Sequence, residues 1–110
     1  MAVAEWVEVA STSDIPSGHA ARVDIDGVPI AIFNVDGEFF AVDDTCTHQE
    51  ASLSEGDLNL ARCAIECPLH GSAFDLRSGE VLSLPAVEPV RVHPTEVRDG
   101  KVRVALAGDQ

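Results

Sequence analysis

Two short segments carry residue types that bind metals. One is Thr45-Cys46-Thr47-His48; the other is Glu66-Cys67-Pro68-Leu69-His70-Gly71-Ser72. Each supplies one soft thiolate and one imidazole. The spacing is Cys-x-His, then the residues from 49 to 66, then Cys-x-x-His. Two chelating pairs on separate loops can converge on one centre. Pro68 and Gly71 suit a tight turn that aims backbone N–H groups inward. Two Cys and two His can hold a structural zinc ion tetrahedrally. They can also hold a 2Fe–2S cluster in which two Cys bind one iron and two His the other. The usual zinc order places both Cys in one knuckle and both His in the other. Here each loop mixes the two. A cluster lying across two loops needs that mixing, whereas zinc only permits it.

The elements that must position these loops read as strands. Arg22 to Asp26 alternates polar and apolar residues, and Val28 to Phe33 is a short apolar run. Glu38 to Val42, Val90 to Val92 and Lys101 to Val104 follow. Their period and β-branched content predict strands. Asp26-Gly27, Asp36-Gly37 and Asp99-Gly100 stand between or beside them. Asp-Gly between apolar runs is a strong hairpin signal, because a type I′ turn needs φ > 0 at both central residues. A single helical turn is expected within Ser13 to Gly18, and no longer helix. The fold class expected is all-β and antiparallel, without linker, repeat or low-complexity tract.

Size and charge narrow the function. The chain has 110 residues, which is one domain. Lys plus Arg number 7 against 19 Asp plus Glu, for a net charge of −12. That speaks against nucleic acid, whose affinity comes from cationic contacts to phosphate. It also speaks against anionic membrane surfaces. A basic protein partner suits it better, especially as residues 1–60 carry Arg22 as their one base. No apolar run is long enough to span a membrane. The segment from Met1 to Trp6 has neither a basic region nor a long apolar one, so no export signal is expected. Three Cys, an odd count, argue against a disulfide scaffold and for metal ligation. A cytoplasmic protein is expected.

The stretches Cys46-Thr47-His48 and Cys67-Pro68-Leu69-His70-Gly71-Ser72 resemble the two cluster-binding loops of the Rieske family. Ala51-Ser52-Leu53-Ser54-Glu55-Gly56 resembles the segment after the first loop in ferredoxins of bacterial ring-hydroxylating dioxygenases. Phe74-Asp75, Gly79, Pro85 and Pro89 resemble the family's closing region and the proline loop over the cluster. The likeness runs from about Phe39 to Val104. It implies a Rieske fold: an antiparallel β-sandwich or barrel base and a smaller cluster-binding subdomain, at about residues 44–86 of a single domain spanning 1–110. It implies one Rieske 2Fe–2S cluster, with Cys46 and Cys67 on the inner iron and His48 and His70 on the outer one. The function implied is one-electron transport, not catalysis. An NAD(P)H-dependent flavoprotein reductase would supply the electron, and the terminal oxygenase of an aromatic dioxygenase system would take it. By eye, the carbazole and biphenyl systems look closest. Both partners would be transient and the carrier monomeric.

Departures within the family are informative. Respiratory Rieske subunits have an extra Cys in each loop, where this chain has Ala51 and Leu69. They also place a Tyr where this chain has Phe74. Ser72 is retained. Fewer donors toward the cluster imply a potential at the low end of the Rieske range, roughly −150 to +300 mV. Rival readings are a Rieske-like small subunit of a nitrite reductase, a zinc-stabilised binding module and a redox sensor. Among the other residues, Cys63 is expected to be a small buried thiol on a strand from Leu60 to Ile65. His93 is expected at a strand end, His19 exposed, and Trp6 in core or strand packing. Glu50, Glu55, Asp57 and Glu66 are either solvated or part of a docking field.

Overall fold

The computed structural model describes residues 6–47, 51–68, 71–84 and 88–107. The strands are β1 (Trp6–Ser11), β2 (Ala20–Ile25), β3 (Val28–Val35), β4 (Glu38–Asp43), β5 (Asp57–Asn59), β6 (Ala64–Glu66), β7 (Ala73–Asp75), β8 (Val81–Ser83), β9 (Val92–His93), β10 (Thr95–Arg98) and β11 (Lys101–Ala105). Two single 3₁₀ turns, Thr12–Asp14 and Leu53–Glu55, complete the described elements. Three sheets result, ordered β1-β11-β10, β2-β3-β4-β9 and β5-β6-β7-β8. Each pairing is antiparallel. The all-β antiparallel architecture expected is thus present among the described residues, with two sheets sharing one core and a smaller third sheet.

The three Asp-Gly pairs do what their chemistry demands. Asp26, Asp36 and Asp99 sit at φ 52°, 53° and 53°, and each following Gly is also positive. Both central residues are therefore left-handed, as a type I′ hairpin requires.

The apolar run of β3 has a structural cause. Ile30 and Ile32 face one core, with Ile15, Ile25, Phe39, Ala41, Val102 and Val104. Ala31, Phe33 and Val35 face another, with Val42, Leu53, Ile65, Phe74, Leu76 and Val90. Side chains alternate across a strand, so a strand with apolar residues at both parities is buried on both faces. The sheet containing β3 is shared by two cores. One joins it to the sheet of β1, β10 and β11; the other joins it to the small sheet of β5–β8. The second core contains Cys46, Cys63 and Cys67.

Candidate metal centre

Strand β4 delivers the chain to the first loop. Thr45 and Ser52 form an isolated antiparallel bridge at its base. The Cys46 N–H donates to the Ala51 carbonyl at 3.0 Å, and the Leu53 N–H to the Asp44 carbonyl at 2.7 Å. Beneath this base lies the buried carboxylate of Asp44. It accepts hydrogen bonds from the Ser54 N–H at 2.9 Å and from the Ser52 hydroxyl. The Arg22 guanidinium stands 3.5 Å away.

Strand β6 delivers the second loop. The Cys67 N–H donates to the Ser72 carbonyl at 2.6 Å, and the Gly71 N–H reaches back to the Cys67 carbonyl at 3.3 Å. Gly71 has φ +76°, a conformation that favours glycine. The Ser83 hydroxyl, on β8, donates to the Gly71 carbonyl at 3.0 Å.

A third segment ties the two loops together. The Thr47 hydroxyl donates to the Glu88 carbonyl at 2.7 Å. Two residues on, the Val90 N–H donates to the Gly79 carbonyl at 2.9 Å, beside the turn after β7. Thr47 and the β7–β8 turn thus grip the same stretch of chain.

Cys46 and Cys67 are each 3% exposed and lie in one core cluster with Leu53 and Phe74. Both are free of disulfide bonding. The fold therefore brings two buried thiols from two loops to the same core. The other two candidate ligands, His48 and His70, lie outside the described residues, as do Glu50, Leu69 and Pro85. Ser72 is fully buried beside Cys67, and Phe74 is fully buried. Around the loops Glu55, Asp57, Glu66 and Glu88 are exposed, so this end carries acidic side chains in solvent.

Cys63 is buried, as its sequence context suggests, but not on a strand. Residues 60–63 form a turn, and Cys63 has φ +53°. The Asn59 carboxamide accepts the Arg62 N–H at 3.1 Å, a local bond that favours the turn over an extended strand. Burial pushes the Cys63 thiol above its ordinary pKa; Arg77 opposes that, and Asp75 and Glu38 add to it. His19 is exposed and Trp6 is 42% exposed on β1, so the indole is not a core residue.

His93 does end a strand, yet it is buried. Its Nδ1 accepts the Ala107 N–H at 2.9 Å. The proton must then sit on Nε2, which donates to Asp43 Oδ1 at 2.7 Å. Arg91 also bonds the Asp43 carboxylate and the Ala107 carbonyl. These contacts fasten Ala107 to β4, the strand that feeds the first loop. The roles of Asp43 and Asp44 were missed from sequence. The available signal was two adjacent acids closing an apolar strand directly before Thr45-Cys46.

Comparison with known proteins gives a consistent picture. Residues 5–94 match the model for the Rieske [2Fe-2S] domain. The ferredoxin subunit of 3-phenylpropionate/cinnamic acid dioxygenase from Photorhabdus laumondii is 43% identical over 102 residues, covering 93% of this chain and 95% of that one. Among solved structures, the ferredoxin of carbazole 1,9a-dioxygenase from Nocardioides aromaticivorans IC177 aligns with a TM-score of 0.88 at 33% identity, covering 91% and 96% of the two chains. A chain in a complex of reduced oxygenase and oxidized ferredoxin in carbazole 1,9a-dioxygenase aligns with a TM-score of 0.85 at 44% identity, covering 91% and 92%.

Proposed function

The chain belongs to the Rieske [2Fe-2S] family, and from that membership we propose that it is the ferredoxin of an aromatic ring-hydroxylating dioxygenase system. It is an electron-transfer component and not the catalytic oxygenase. The observation that carries the reading is the meeting of two buried thiols from two loops in one core. That donor set fits a 2Fe–2S group, which needs two thiolates shielded from water. Cys46 and Cys67 would hold one iron, and His48 and His70 the other. When bound, the cluster supplies a reversible one-electron centre at a potential above that of all-thiolate ferredoxins.

The chain's own residues do the rest. The hydrogen bonds at Cys46 and Cys67 fix both thiols at the mouths of their loops. Phe74 and Leu53 keep water from the sulfur side. Thr47 holds the segment after residue 87 against the first loop. The exposed acids supply a field that attracts a basic partner surface and raises encounter rates. That partner is the terminal oxygenase, and an NAD(P)H-dependent flavoprotein reductase is the electron donor. Both contacts are brief, the carrier is monomeric, and the compartment is the cytoplasm. Among the described residues no helix is long and apolar enough to cross a membrane.

The test is an absorption and EPR spectrum of anaerobically purified protein, before and after dithionite, with iron and acid-labile sulfide counted. Two irons and two sulfides per chain and a rhombic signal on reduction are expected. A colourless protein holding one zinc would overturn the reading. With the cluster in hand, electron transfer from the reduced protein to the terminal oxygenase should slow as salt rises through the range where the Debye length shrinks from about 30 to 8 Å. A salt-independent rate would remove the steering role of the acids.

A further inference from the structure

Asp44 is buried, with its side chain only 3% exposed. A carboxylate out of water is costly unless its oxygens are bonded. Here both oxygens are engaged, by the Ser54 N–H and by the Ser52 hydroxyl with Arg22 alongside. Its backbone is equally committed: the N–H donates to the Pro29 carbonyl at 3.0 Å and the carbonyl accepts from the Leu53 N–H at 2.7 Å. One residue therefore joins the start of β3, a cation on β2 and the far end of the first loop. The bonds from Asp44 to residues 52–54 close a ring around residues 45–51. The sequence segment so bracketed contains Cys46 and, outside the described residues, the candidate ligand His48.

We propose that Asp44 is a positioning residue whose buried carboxylate closes this ring and so sets the loop that presents Cys46 and His48. The inference rests on the reading of that loop as ligand-bearing. Asp44 acts through the backbone at Ser54 and the side chain of Ser52. Arg22 balances its charge. That gives a use to the one base among residues 1–60.

The test uses the full-length, cluster-loaded protein and the variants Asp44→Ala and Asp44→Asn. Three quantities are read: amide exchange of peptides spanning 44–56, the rate of bleaching with an iron chelator present, and the EPR line shape of the reduced protein. Losing charged hydrogen bonds should raise exchange in 44–56 by roughly ten- to a hundredfold in Asp44→Ala. Peptides from β10 and β11 should exchange as before. Bleaching should quicken and the EPR line shape should change. Asp44→Asn keeps an acceptor for the Ser54 N–H and a polar partner for Ser52, so it should fall much closer to the parent protein.

Exchange within about twofold of the parent, the scatter of a neutral substitution, would overturn the proposal. So would a rise spread equally over all three sheets, which would make Asp44 a support of the whole fold. If Asp44→Ala yields no folded protein, Ser52→Ala takes its place. Removing that one donor should raise local exchange roughly fivefold, and no change would overturn the proposal. A parent protein without any 2Fe–2S signal would overturn the ligand-loop reading instead, and the exchange arm would still decide whether Asp44 closes the ring.

Discussion

Gly79 and Gly27 share a backbone conformation, φ +81° in both, but not an environment. A Cβ at Gly27 would meet nothing within 4 Å. At Gly79 it would stand 2.1 Å from the Val90 carbonyl oxygen and 2.9 Å from Val92 Cγ2. The pair of variants Gly27→Ala and Gly79→Ala therefore separates strain from contact. The left-handed backbone costs an alanine roughly 1–2 kcal/mol, and this is common to both. At Gly79 the backbone must also move. Overpacking of this kind costs about 1–3 kcal/mol. Weakening the Val90 N–H bond to the Gly79 carbonyl, 2.9 Å long, adds about 1 kcal/mol. The expected gap between the two variants is about 2–4 kcal/mol. Urea unfolding of the oxidised, cluster-loaded proteins reads it directly. With a slope of about 2 kcal/mol per molar, the Gly79→Ala midpoint should lie roughly 1–2 M below that of Gly27→Ala. Because residues 88–90 are also gripped by Thr47, Gly79→Ala should bleach faster as well, and Gly27→Ala should not. A gap under about 0.5 kcal/mol, the scatter of surface substitutions, would refute the packing of this turn against residue 90.

Other outcomes follow from buried groups. Cys63→Ala should retain the parent spectrum, since Cys63 is not among the candidate ligands; loss of the cluster in that variant would show otherwise. Burial raises the Cys63 pKa, so its stabilising protonated form is fully present below the unfolded-state value, about 8.5, and is lost as pH rises through the folded-state value. The parent protein should therefore lose stability relative to Cys63→Ala as pH rises above the unfolded-state value, measured by urea midpoints; parallel curves would contradict this. His93→Phe removes the acceptor of the Ala107 N–H and a donor to Asp43. It should cost about 2–4 kcal/mol by the same measurement, with His93→Gln milder. Equal stability of His93→Phe and the parent would remove the role of this network. The potential, read by redox titration, should fall toward the low end of the Rieske range; a midpoint above about +200 mV would refute the argument from Phe74.

The parts of the fold legible in the sequence are those governed by local rules. Asp26-Gly27, Asp36-Gly37 and Asp99-Gly100 announce their turns because only the backbone of two residues is involved. The unbroken run of β3 announces burial on both faces. Strands of three residues, such as β5, β7 and β8, carry too little periodicity to be seen. The run from Leu60 to Ile65 misleads because its first half, with Leu60 and Ala61 exposed, forms a turn held by Asn59, and only Ala64 and Ile65 enter strand β6. His93 and Asp44 escape for another reason. Their partners lie far along the chain or on the other side of a loop, and no spacing rule reports that. For the candidate site, the residue types and the pairing of the loops were legible; the network that holds the loops was not.

The Thr47 hydroxyl and its acceptor on Glu88 are 41 residues apart, Asp43 and His93 are 50 apart, and β1 closes its sheet against β11. A chain emerging from the ribosome can form the two hairpins of β2–β4 early, since their turns are local. The loop proposed to carry Cys46 and His48 then has its bonds to Asp44 but lacks the segment that Thr47 grips. Topologies dominated by such distant pairings fold in milliseconds to seconds. Cluster acquisition consequently belongs late in the life of the chain, after synthesis has passed residue 90. Until then the thiols of Cys46 and Cys67 face oxidants unprotected.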